Sequence, residues 1–211
     1  MTVARWACVA IASAMLGCGG GGDDGTTNPP PPPPPTQTLG SISVNPTSMN
    51  LVAGNTQAIT VSALDTQGAA ISSFSVAFSA TGTSAEVDNT GTVLGLSTGS
   101  STVTATVTVG AVTRTATVAV SVTGSLPSQA NVSAPPGTVF TPNRVAISRG
   151  GQVTWTFGSE QHNVTFGGGA GAPANINNSS STSESRTFGQ AGNFSYNCTL
   201  HAGMNGQVIV R

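Results

Sequence analysis

The clearest pattern in the chain is a period of two. In Thr102-Val-Thr-Ala-Thr-Val-Thr-Val109 the odd positions are apolar and the even ones are threonine, which is the signature of a strand buried on one face. Gly110-Ala111 can turn such a strand back on itself, and Thr115 to Val122 repeats the alternation, so a hairpin is predicted. Shorter strands are expected at Ser41 to Val44, Gln57 to Leu64 and Phe74 to Phe78. Further on, Val153, Trp155 and Phe157 share one face and predict core positions, as do Val145 and Ile147, opposite Arg144, Ala146 and Ser148. Val132 begins the first strand of this second group, Thr187 to Tyr196 resumes a sheet, and Val208 to Val210 closes it. Gly167 to Ser185, rich in Gly, Asn and Ser, is predicted to be a long excursion rather than a strand. The whole is an all-β chain of two β-sandwich domains, residues 39–124 and 130–211, joined by a short linker containing Pro127.

Composition narrows the class of function. Of 211 residues only 6% are charged, against roughly 25% in ordinary soluble domains. Net charge is −1, and the cations are all arginine, scattered at 5, 114, 144, 149, 186 and 211. No basic patch for nucleic acid results.

The N-terminus reads as a targeting segment. Arg5 precedes an apolar run from Trp6 to Leu16, too short for a membrane span of about 20 residues but suited to a signal peptide over residues 1–17. Met15-Leu16-Gly17-Cys18 resembles the bacterial lipoprotein processing box, with Met15 where Leu is more usual. That resemblance implies cleavage before Cys18, lipidation of its thiol, and membrane contact through the lipid anchor alone. The alternative is an ordinary secretory signal cut nearby. Gly19 rather than Asp after the cysteine favours an outer membrane or cell surface, facing periplasm or exterior. Residues 18–38 follow as a disordered Gly/Pro-rich tether, in which seven consecutive prolines from Pro29 to Pro35 form a semi-rigid spacer.

The chemistry is concentrated near the C-terminus. Cys198, His201 and Met204 lie within seven positions, and the sequence contains one other histidine, His162. Thiolate and imidazole suit copper and zinc, but a thioether is a poor zinc ligand and pairs well with copper. Two histidines, one cysteine and a weak axial methionine make the trigonal blue-copper set. A lone histidine is more often a surface residue, a buried cysteine a small hydrophobe and a buried methionine a filler. Those readings leave unexplained why the two histidines complete the set.

Phe140-x-Pro142, Gly150-Gly-x-Val153-x-Trp155, His162-Asn163-Val164 and Cys198-x-x-His201-x-x-Met204 resemble the cupredoxin family, the small blue copper proteins such as plastocyanin and amicyanin. The short Cys-to-Met loop is most similar to that of amicyanin. The resemblance covers about residues 130 to 211 and implies a Greek-key sandwich holding one Cu(I)/Cu(II) ion through His162, Cys198, His201 and Met204. It also implies a hydrogen bond from Asn163 to Thr199 that ties the two ligand segments together. Leu200 stands where the amicyanin-like loop usually has Pro, and Phe157-Gly158 near where Asn or Asp is common. Asp88-Asn-Thr-Gly91 through Gly99, with the following hairpin, resembles the group 2 bacterial Ig-like domains of surface proteins. Within that domain Glu86 and Asp88 are expected at a solvated edge, and the domain is read as a spacer or adhesion module.

The implied function is one-electron transfer by an exported, lipid-anchored type 1 copper protein. Redox partners would dock at the outer edge of His201, flanked by Leu200 and Ala202, with weak salt dependence because the patch is poor in charge. Copper capture and delivery by the same ligands, or an adhesion role, are the alternatives. A copper oxidase or nitrite reductase needs further histidine-rich centres that two histidines do not supply, so an enzyme is not expected.

Overall fold

The structure is a computed structural model and describes residues 37–211. The segments expected to be a signal peptide and a lipidation site at Cys18, and nearly all of the Pro-rich stretch, lie outside the described residues. Among the described residues there are strands and turns but no α-helix.

The first sandwich contains β1 (Leu39–Asn45), β2 (Ser48–Val52), β3 (Thr56–Ala58), β4 (Thr60–Asp65), β5 (Ser75–Thr81), β6 (Ala85–Val87), β7 (Thr92–Gly95), β8 (Gly99–Val109) and β9 (Val112–Thr123). The alternating segments pair as the hairpin β8–β9 around Gly110-Ala111, with Val109 opposite Val112. The hairpin is the centre of a four-stranded sheet in the order β2-β9-β8-β5. Val103, Ala105, Val107, Val118, Val120 and Val122 turn inward from it and are buried, while Thr104, Thr106, Ala119 and Ser121 between them turn to the outer face. Facing it are the pair β1-β4 and the sheet β3-β7-β6. β2, β6 and β7 are additions to the sequence-based expectation. Each is short, three to five residues, which leaves little pattern to read.

The second sandwich contains β10 (Gln129–Ala134), β11 (Arg144–Ile147), β12 (Gln152–Phe157), β13 (His162–Phe166), β14 (Ile176–Ser179), β15 (Thr182–Thr187), β16 (Gly192–Asn197) and β17 (Asn205–Val210). One sheet runs β10-β12-β15 and the other β11-β17-β16-β13-β14. Val153, Trp155 and Phe157 are all buried, and the Trp155 ring packs edge-on against Phe166 and Tyr196. This aromatic centre lies beneath the pole where Cys198 and Met204 close the same core.

Two expectations are corrected. The stretch from Gly167 to Ser185 is not one long excursion: it contains β14 and most of β15, which pair with β13 and β12. Thr182-Ser-Glu-Ser-Arg-Thr187 is an edge strand with polar residues on both faces, so it has no hydrophobic alternation to read. Its anchor is Arg186, whose guanidinium donates to the carbonyls of Ala174 and Asn175 at 2.8 Å each.

Glu86 is the second correction. Its carboxylate accepts from Arg144 at 2.9 Å and from Arg211 at 3.0 Å, joining the two sandwiches instead of facing solvent alone. Beside it Leu94 and Leu96 pack on Ala146 and Ile209. β11 is thus buried on both faces, Val145 and Ile147 in its own core and Ala146 against the first sandwich.

Candidate metal centre

Three donor-bearing residues converge at one end of the second sandwich. His162 opens β13, Cys198 follows the last residue of β16, and His201 lies in the turn leading to β17. Strands β13 and β16 are antiparallel neighbours, with Thr165 opposite Asn197, so the start of one and the end of the other meet at the same pole. The donor atoms of the three residues lie within 4.8 Å of one another.

The orientation of the rings is the informative feature. His162 Nδ1 lies 3.9 Å from Cys198 Sγ and His201 Nδ1 lies 3.5 Å from it. Ligands placed about 2 Å from a shared ion in a trigonal plane are separated by roughly 3.5 Å, so the donor set fits a single metal. Each outer nitrogen has its own acceptor: His162 Nε2 donates to the carbonyl of Pro135 at 3.1 Å, and His201 Nε2 to Oε1 of Glu160 at 3.1 Å. A carbonyl and a carboxylate only accept. Both rings therefore donate from Nε2, which leaves Nδ1 facing the sulfur.

The sulfur is buried and accepts a bond from the backbone N–H of Asn163 at 3.5 Å. The expected bond between the ligand segments is present in both directions: Asn163 Nδ2 donates to Thr199 Oγ1 at 2.8 Å, and the Thr199 N–H donates to Asn163 Oδ1 at 2.9 Å. Asn163 Nδ2 also donates to Asn178 Oδ1 at 2.9 Å, so β14 supports the site from behind. The loop itself is closed by the Cys198 N–H on the Met204 carbonyl, 2.9 Å, and the Met204 N–H on the His201 carbonyl, 3.3 Å. Gly203 makes that turn with φ +80°, a conformation that L side chains rarely adopt. Met204 is buried in the same core as Cys198.

Residues 129–211 match the family model described as copper binding proteins, plastocyanin/azurin family. The second sandwich is a cupredoxin domain. Residues 39–120 match the bacterial Ig-like domain (group 2) model, so the chain is an Ig-like domain followed by a cupredoxin domain. His162, Cys198 and His201 form its candidate copper site. Among similar solved structures are a reduced Cu(I) form of an amicyanin mutant, 28% identical over 38% of this chain and 80% of that one with TM-score 0.35. Another is a mutant plastocyanin of fern, 26% identical over 39% of this chain and 100% of that one with TM-score 0.36. No curated protein matches the chain.

Three supporting residues were not anticipated: Pro135, Asn178 and Glu160. Pro135 acts through its carbonyl, which any residue could supply, and Asn178 lies in a stretch without apolar pattern. Glu160 changes the picture most. The outer edge of His201, expected at solvent, faces its carboxylate, and the side chain of His201 is 18% exposed. Leu200 and Ala202 are exposed beside it. An acidic group therefore lies at the His201 edge, near the exposed Leu200 and Ala202.

Proposed function

We propose that this protein is a type 1 copper electron carrier, in which His162, Cys198, His201 and Met204 would hold the ion. The supporting observation is the double fixation of the imidazoles. Both Nδ1 atoms face one buried sulfur while both Nε2 atoms are already engaged. When bound, copper supplies a one-electron couple between Cu(II) and Cu(I).

The chain's contribution is rigidity. Strand ends hold His162 and Cys198, the Asn163–Thr199 bonds lock the loop to β13, and the core excludes water from the sulfur side. Donors that keep one arrangement in both oxidation states leave little to reorganise when an electron moves. The carrier reading is preferred to an enzymatic one because the sequence has two histidines in all, and both are engaged at this centre.

The proposal extends to the cellular setting. The protein is read as exported and lipid-anchored through Cys18. Redox partners would approach over Leu200 and Ala202, beside His201.

The test is a comparison of two rates on the copper-loaded protein. Electron self-exchange, read from NMR line broadening in Cu(I)/Cu(II) mixtures, should be fast, and copper loss to a chelator slow. Rapid metal loss with no measurable self-exchange would instead identify a copper capture and delivery protein.

A further inference from the structure

Both ligand histidines are held from outside by one short turn, and a single acidic side chain completes the second connection. The Pro135 carbonyl accepts from His162 Nε2 at 3.1 Å. Two residues later the Gly137 N–H donates to Glu160 Oε2 at 2.7 Å, and Glu160 Oε1 accepts from His201 Nε2 at 3.1 Å. The turn is fixed in its own right: the Gly158 N–H donates to the Ala134 carbonyl at 2.9 Å, and a Cβ on Gly158 would meet Pro136 at 2.9 Å. Backbone of residues 134–137 and the segment 158–160 are therefore in close register.

We infer that Glu160 is a positioning residue for the copper site, acting through His201 to fix its ring and to set the balance between Cu(II) and Cu(I). The inference rests on the copper reading above.

The chemical requirement is specific. His201 lies on a turn instead of a strand, so backbone pairing does not orient its ring as β13 orients His162. The group that does so must accept twice, once from a backbone N–H and once from an imidazole N–H. A carboxylate has an oxygen for each, whereas an amide has one oxygen and an NH2 that would face another donor. Charge adds a second effect. A carboxylate bonded to the far nitrogen of a ligand histidine raises the basicity of the coordinating nitrogen. It also places negative charge near the ion, favouring Cu(II) over Cu(I).

The connection spans 41 positions between Glu160 and His201 and 23 between Gly137 and Glu160. It is also a departure from an open histidine edge. An approaching redox partner would meet the carboxylate beside the apolar residues Leu200 and Ala202.

The experiment compares the full-length protein with Glu160→Gln and Glu160→Ala. Glu160 is 42% exposed at its side chain, and thermal melting of the metal-free forms verifies that both variants fold. In the metal-free wild type, 1H–15N NMR of the His201 ring should show an Nε2–H protected from exchange; Glu160→Ala should lose that protection. In the copper-loaded protein, Glu160→Gln poised in a fixed redox buffer should shift the Cu(I)/Cu(II) ratio toward Cu(I) by on the order of tenfold. Glu160→Ala should shift it in the same direction and broaden the copper EPR lines as the ring loosens.

An unprotected Nε2–H in the wild type, or a Cu(I)/Cu(II) ratio and EPR spectrum unchanged in both variants, would overturn the inference. A wild type that forms no blue copper complex defeats the copper reading and the redox half of this inference with it. The NMR comparison still decides the positioning half in that case.

Discussion

Asn163 and Thr199 bind each other in both directions, side chain to side chain at 2.8 Å and backbone N–H to amide oxygen at 2.9 Å. Each is the chain neighbour of a metal-ligand candidate, so the pair couples His162 to Cys198 without touching the ion. Asn163→Ala removes both bonds and also leaves Asn178 without its partner. Loss of buried hydrogen bonds of this kind should lower stability by about 1–3 kcal/mol, and copper affinity should fall on the order of 10- to 100-fold. Urea unfolding of the metal-free variant and competitive copper titration check the two effects separately.

The join between the sandwiches gives a second prediction. Glu86 bridges Arg144 and Arg211, but the two arginines are not equivalent. Arg144 is 15% exposed and Arg211 is 40% exposed at the side chain. Glu86→Ala strands a mostly buried guanidinium and should destabilise by about 1–3 kcal/mol. Arg211→Ala breaks a solvent-screened pair and should change stability by less than about 1 kcal/mol. Denaturant unfolding of both variants checks the ordering, and equal effects would contradict it.

A third prediction concerns the strand that returns from the ligand loop. Gly206 on β17 lies opposite Tyr196 on β16, and a Cβ at 206 would run into the Tyr196 ring. That ring cannot swing aside, because it is packed edge-on against Phe140, Trp155 and Phe166. Gly206→Ala should therefore lower stability by about 1–3 kcal/mol through overpacking, measured by thermal or urea unfolding.

The acid limb of stability should carry a signature of Asp88. Partial burial pushes its carboxyl up, but bonds from the Thr90 hydroxyl and the backbone N–H groups of Thr92 and Thr90 outweigh this and hold it below its ordinary value of 3.8. A depressed folded-state pKa contributes stability that is present above the unfolded value and lost as pH falls through the folded one. Asp88→Asn should thus flatten the pH dependence of unfolding free energy below about pH 4. An unchanged slope in that variant would contradict the assignment.

The parts of this molecule that were legible in the sequence share a physical cause. β8, β9 and β12 bury one face each, so alternation exposes them directly. The candidate copper residues His162, Cys198 and His201 stood out because imidazole and thiol are scarce in this chain. What escaped was carried by polar contacts between distant segments. β15 is polar on both faces and is held by an edge pairing and Arg186. Glu86 looks like a surface acid until the second sandwich lies against it. Glu160 sits in a loop where nothing local announces that its two oxygens reach Gly137 and His201. Backbone acceptors such as the Pro135 carbonyl leave no trace in residue identity at all.

The type 1 copper site is tested most directly by the visible absorption and EPR spectrum of the Cu(II)-loaded protein, recorded beside Cys198→Ser. An intense blue band and narrow copper hyperfine splitting are expected in the wild type, both absent from the variant. A pale copper adduct whose spectrum is the same with and without the Cys198 thiol would rule the site out.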